Sequence, residues 1–108
     1  MFNHQAVYDF GALRSAVELA CQPQNAHRIL AGRQQVLAFP RHWVIGHVEE
    51  VAKEVLNLDD YWEYRRLLEL VTLLSSEILQ RFVAHGLMSD DSDVREAAED
   101  YRETGARL

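Results

Sequence analysis

Metal binding or acid–base chemistry would start from histidine, cysteine and carboxylate side chains. The chain has five histidines, His4, His27, His42, His47 and His85. His47 and Glu50 stand three apart, a spacing that puts two ligands on one helical face. A carboxylate-bridged helical site needs matching ligands from a second helix, and no second motif of that kind follows. His47 therefore reads as a half-buried residue of a largely apolar face. The single cysteine, Cys21, has no histidine near it in sequence, so an inert buried thiol is expected. Ser75, Ser76, Ser89 and Ser92 stand where helix caps belong, outside any Gly-x-Ser-x-Gly elbow. Glu49, Glu50 and Glu54 read as a solvated helix face. Acid–base work would need a cleft and shifted pKa values. No glycine-rich phosphate loop is present. These patterns predict no catalytic residue, no cofactor and no metal, hence a protein that is not an enzyme.

Recognition chemistry is better represented. Trp43, Tyr61, Trp62 and Tyr64 cluster around the starts of two expected helices. At 100° per residue Tyr61 and Tyr64 share a face, while Trp62 points well away from Tyr64. If Tyr64 is core, Trp62 is turned outward beside Asp59, Asp60 and Glu63. An outward Trp rimmed by carboxylates is the pattern of an interface anchor. The expected partner-binding residues are Trp62, Asp59 and Glu63, with Glu49 and Glu50 as rim charges. The alternative is that Trp62 packs against the first forty residues.

Charge bears on the partner. The net charge is −6 over 108 residues. Residues 1–40 carry three Arg against Asp9 and Glu18, a balance of +1; residues 41–108 carry eight Lys/Arg against fifteen Asp/Glu, a balance of −7. An acidic surface repels phosphate backbones, which argues against nucleic acid. It favours a basic protein partner by steering, although a charge of this size also serves simply to keep a small domain soluble. No apolar run approaches 18 residues, so no membrane-spanning helix is expected. No basic n-region precedes an apolar stretch at the N-terminus. One cysteine allows no internal disulfide, which suits a reducing compartment. The expected location is cytoplasmic.

The elements that would position these residues are helices. Asp9 caps a first helix with the stripe Leu13, Ala16, Val17, Ala20. Asn25 caps a second, weaker one carrying Ile29 and Leu30, with Gly32 leaving its extent open. Gln35–Phe39 is the one short strand candidate, or the end of that helix. Pro40 opens a third helix with Trp43, Val44, His47, Val48, Val51, Val55 and Leu56 on its apolar face. Asp59 or Asp60 caps a fourth, about Tyr61 to Leu74, with Tyr64, Leu67, Leu68, Val71 and Leu74 inward and Leu70 and Leu73 widening the stripe. Ser75 or Ser76 caps a fifth with Ile78, Leu79, Phe82 and Val83, closed by Gly86 in the left-handed position. Asp91 caps a sixth with Val94, Ala97, Ala98 and Tyr101, and Thr104 to Leu108 is expected to fray.

The chain also repeats itself at an offset of 30 to 31 residues. Asp59-Asp60 aligns with Asp90-Asp91, allowing Tyr61 as an insertion. Glu63-Tyr64-Arg65 then falls on Asp93-Val94-Arg95, and Leu67-Leu68-Glu69 on Ala97-Ala98-Glu99. Upstream, Val48, Val51, Ala52 and Leu56 fall on Leu79, Phe82, Val83 and Leu87. The run Leu87 to Ala98 resembles the HEAT-like helical repeat superfamily. That resemblance covers about residues 41–103. It implies that Asp91 caps the second helix of the unit, Val94 enters the core and Arg95 braces neighbouring turns. In the first unit the same roles would fall to Asp60, Tyr64 and Arg65, where Tyr64 departs from the family's small aliphatic residue.

The expected fold class is thus all-α, with HEAT-like antiparallel helical hairpins and five to six helices in one domain. Residues 1–40 would form a helical cap, 41–74 one repeat-like hairpin and 75–103 a second. A plain bundle of four or five helices is the rival architecture. The expected function is a small acidic protein-binding module, an immunity-type or adaptor protein for a basic partner. The alternatives are a homo-oligomer, such as a homodimer that buries the unpaired face of a short array, or a small enzyme or metal protein.

Overall fold

In the computed structural model the structure describes residues 8–107, with side chains to residue 102. His4 and Leu108 lie outside the described residues. The described residues form six helices and no strand. These are α1 (Phe10–Ala20), α2 (Ala26–Ala38), α3 (Arg41–Val55), α4 (Tyr61–Thr72), α5 (Ser76–Leu87) and α6 (Ser92–Arg107).

Local chemistry starts most of them. Side-chain oxygens accept from orphan amides of the first turn. Asp9 accepts from Ala12 N at 3.1 Å, Asn25 from Arg28 N at 3.0 Å and Asp60 from Glu63 N at 2.9 Å. Ser75 accepts from Ile78 N at 3.3 Å and Asp91 from Val94 N at 3.0 Å. α3 follows Pro40 with no side-chain cap. Gln35–Phe39 is the last turn of α2 and its C-cap, not a strand. The tail expected to fray continues α6 to Arg107.

The helices stack in two rows. In the first, α1 and α3 run parallel: Phe10 meets His47 at 4.8 Å between ring centres, and Arg14 reaches Glu54 at 2.9 Å. Arg81 on α5 bonds Glu49 on α3 at 3.1 Å and extends that row. In the second row, α2 and α4 run parallel. Arg66 donates to the Pro23 carbonyl just before α2, Arg33 bonds Glu69, and Arg41 just beyond α2 donates to the Leu74 carbonyl. Arg65 joins α4 to α6, donating to Asp100 at 3.5 Å and lying over the Tyr101 ring at 5.8 Å.

Two glycines set close approaches inside this stack. A Cβ on Gly32 would come 2.2 Å from the Ala20 backbone nitrogen, so α1 and α2 touch where only glycine fits. A Cβ on Gly86 would lie 1.9 Å from the Tyr64 hydroxyl. Gly86 was expected in a left-handed position at the end of α5. Among the described residues no glycine has positive φ. Gly86 instead sits inside α5 and leaves room for the Tyr64 ring, which is fully buried and donates to the Phe82 carbonyl at 2.7 Å.

Leu13, Val17, Val44, Val48, Leu67, Leu68, Leu70, Leu79 and Val94 are all fully buried in a single core. Close backbone packing joins α1 to α2 and α3, α4 to α5 and α6, and α5 to α6. α3 and α4 stand further apart, so the hairpin over residues 41–74 is more open than the one formed by α5 and α6. Leu67, Leu68 and Leu70 on α4 are fully buried, and on α6 the corresponding buried residues are the small Ala97 and Ala98. Leu73, expected to widen the buried stripe, is 47% exposed, because α4 ends at Thr72 and Leu73 is its C-cap.

Candidate protein-binding groove

α4 presents two faces. Tyr64, Leu67, Leu68 and Val71 go to the core. Trp62, Arg66, Glu69 and Leu73 fall within an arc of about 60° on the opposite side, at 100° per residue. That arc looks toward α2, since Arg33 bonds Glu69. On α2 the residues turned to it are Ala26, Leu30, Arg33 and Leu37, again one helical stripe. The two helices meet through long side chains, which leaves a groove between them.

The groove has apolar lips and a charged floor. Leu30 is 55% exposed, Leu37 47% and Trp62 43%. Arg66 holds the floor: its Nη1 donates to both oxygens of Glu69 at 3.0 and 3.2 Å, and its Nε and Nη2 donate to the Pro23 carbonyl at 3.3 and 2.9 Å. The same guanidinium lies over the Trp62 ring at 5.2 Å, and Tyr61 meets that ring edge-on at 5.0 Å. Trp62 is thus held by Arg66 and Tyr61 while part of its surface stays open to solvent. Arg33 Nε is buried and has no hydrogen-bond partner among the described residues. A cavity of about 290 Å³ opens here, lined by Gln24, Ala26, Ile29, Leu30, Arg33, Arg66 and Glu69. A separate, smaller one, about 40 Å³, lies near the C-terminal ends of the two helices, against Leu37, Phe39, Arg41 and Leu74.

The residues singled out from sequence divide between places. Trp62, Asp59 and Glu63 gather at the N-terminal end of α4. Asp59 is exposed, and its amide donates to Asn57 Oδ1 at 3.0 Å. Glu63 accepts from the Asn57 amide at 3.3 Å and faces a second cavity with Glu18, Cys21, Pro23 and Leu56. Glu49 lies on α3, held by Lys53 at 3.4 Å and Arg81 at 3.1 Å. Glu50 beside it is exposed. Asp60, Tyr64 and Arg65 cap, fill and brace α4 as described above. Asp91 caps α6, Val94 is fully buried, and Arg95 donates to the Ser89 carbonyl at 2.7 Å across the α5–α6 turn.

Sequence reasoning gave Arg33, Leu37, Arg66 and Glu69 no part in a site, took Leu30 as an apolar residue of its helix, and placed Leu73 on the buried stripe, whereas Leu30 and Leu73 are exposed. Leu30 and Leu37 are seven apart, and Arg66 precedes Glu69 by three, so each stripe was readable alone. That the stripes face one another depends on tertiary packing.

Cys21, Tyr64 and His47 are packed into the fold. Cys21 is buried, and that burial pushes its thiol up to about 12, which leaves no thiolate for reaction at neutral pH. Burial likewise raises Tyr64. His47 packs between Phe10 and Trp43, at 4.8 and 5.2 Å between ring centres. Among the described residues no three His, Cys, Asp or Glu side chains gather around one point, and no helix is long and apolar enough to cross a membrane. Comparison with known proteins found no matching family model, no matching curated protein and no matching solved structure.

Proposed function

We propose that this chain is a small protein-binding module of stacked, HEAT-like helical hairpins, and that it engages its partner through the groove between α2 and α4. One observation carries the reading. An exposed Trp62, held in place by Arg66, stands at one end of a groove whose lips are exposed leucines. Buried aromatic anchors ringed by near-neutral contacts dominate binding energy at protein interfaces. A ring already fixed by its neighbours loses little further freedom on binding. Two rows of helices, with α2, α4 and α6 side by side, support the HEAT-like reading. The net charge of −6 supports a partner that is basic overall, as for an immunity-type or adaptor protein.

The test is capture of the partner in the native host, followed by binding measurements on variants. Trp62→Ala should weaken the complex by about 2 kcal/mol or more, the hot-spot range, with an unchanged melting curve. If Trp62→Ala unfolds the chain, or binds as well as the wild type, the groove is not the site. Exposed Leu37 and Leu73 favour self-association as the second reading. Sedimentation would establish it by finding a dimer that the same substitution dissociates.

A further inference from the structure

We infer that the segment occupying the α2–α4 groove is an amphipathic helix that aims a carboxylate at Arg33, an inference that rests on the binding role just proposed. Charge is the first argument. Along the groove stand three guanidiniums, Arg33, Arg66 and Arg41, against one carboxylate, Glu69, a local balance of +2 in a chain of net charge −6. Arg41 spends its contact on the Leu74 carbonyl and has no carboxylate partner among the described residues. Arg33 reaches Glu69 through Nη2 only, and its buried Nε–H is left without an acceptor. That Nε is closed to solvent, so an incoming carboxylate meets the guanidinium on the exposed part of the side chain, 22% of its surface, which lines the cavity, in a charge-assisted contact. The cavity beside it is large enough to admit a carboxylate-bearing side chain.

Shape is the second argument. Leu30 and Leu37 are two turns apart, a rise of about 10.5 Å, with Arg33 between them. A helix laid along the groove would set its own apolar residues, seven apart, against these leucines and place Asp or Glu three or four positions on, over Arg33. An extended segment would turn backbone amides toward leucine side chains that offer no acceptor, whereas a helix satisfies its own. The partner is basic as a whole, which governs its approach. The groove selects one acidic position on the helix that docks.

The experiment is selection of a displayed library of randomised helical peptides on the full chain. Wild type should enrich apolar residues seven apart with Asp or Glu between them. Changing that acid to its amide should weaken binding about tenfold or more. Arg33→Met should bind enriched peptides without distinguishing acid from amide. Arg33→Lys, which keeps charge without the fork, should retain part of the preference. Circular dichroism on both variants checks that Glu69, still held by Arg66, leaves the fold intact. Groove-dependent binding without an acid preference, or a preference that survives Arg33→Met, overturns the inference and leaves the binding role standing. Enrichment indifferent to Trp62→Ala and to Leu37→Ser, or no enrichment, overturns both.

Discussion

Gly86 and Tyr64 divide one volume between them, and each explains the other. The Tyr64 hydroxyl donates to the Phe82 carbonyl, one turn before Gly86 on the same helix. Gly86→Ala would gain about 1 kcal/mol of helix propensity but place a methyl 1.9 Å from that hydroxyl. The overlap decides the sign, and a net loss of about 1–3 kcal/mol is expected in urea melts. Adding Tyr64→Phe should recover only part of it, because Tyr64 Cζ would also lie 2.4 Å from the new methyl. A double-mutant cycle measures that coupling. Cys21 gives a second residue-level prediction. Its thiol titrates at an ordinary 9.0 when unfolded and near 12 in the fold. Above pH 9 the unfolded chain therefore holds fewer protons than the folded one, and stability falls as pH rises. Between pH 8 and pH 10.5 this group alone should cost about 2 kcal/mol. Cys21→Ala should be less stable at pH 7 yet flatter across that window. Equal slopes for the two proteins would mean the thiol is not shielded.

Helix starts were the most legible elements, because capping is decided within four residues. Asp9, Asn25, Asp60, Ser75 and Asp91 all accept from first-turn amides. The core stripe of α4 was equally legible, since Tyr64, Leu67, Leu68 and Val71 recur at the helical period. Leu68→Ala should cost about 2–5 kcal/mol in chemical denaturation. A loss below about 0.5 kcal/mol, typical of surface changes, would mean the faces of α4 are misassigned. What sequence missed is non-local. Leu73 continues the leucine run yet is exposed, because the chain turns at Thr72 toward Ser75. The role of Gly86 depends on the Tyr64 ring, far back in the chain on another helix. The groove depends on how α2 and α4 stand relative to one another, which is invisible in either helix alone.

For the whole molecule, the proposed binding role implies that the distribution of charge separates how a partner would arrive from how it would stay. Most of the negative charge lies in residues 41–108, at a balance of −7. It acts over a screening length of about 8 Å at physiological ionic strength, so it reaches a basic partner before contact. Trp62, as the proposed anchor, would act only after contact. The two should therefore separate kinetically. Glu50 is exposed, with no cationic partner among the described residues, whereas Glu49 is engaged with Lys53 and Arg81. Glu50→Gln should slow association at low salt, leave dissociation unchanged and lose its effect as salt rises. Glu49→Gln should slow association too, but it also frees Arg81 and so adds a cation that repels a basic partner. Trp62→Ala should leave association nearly unchanged and speed dissociation, where most affinity differences within one interface reside. Stopped-flow mixing with the captured partner at two ionic strengths reads both rates. Glu50→Gln acting on dissociation would place that carboxylate inside the contact, and Trp62→Ala acting on association would remove the ring from its anchoring role.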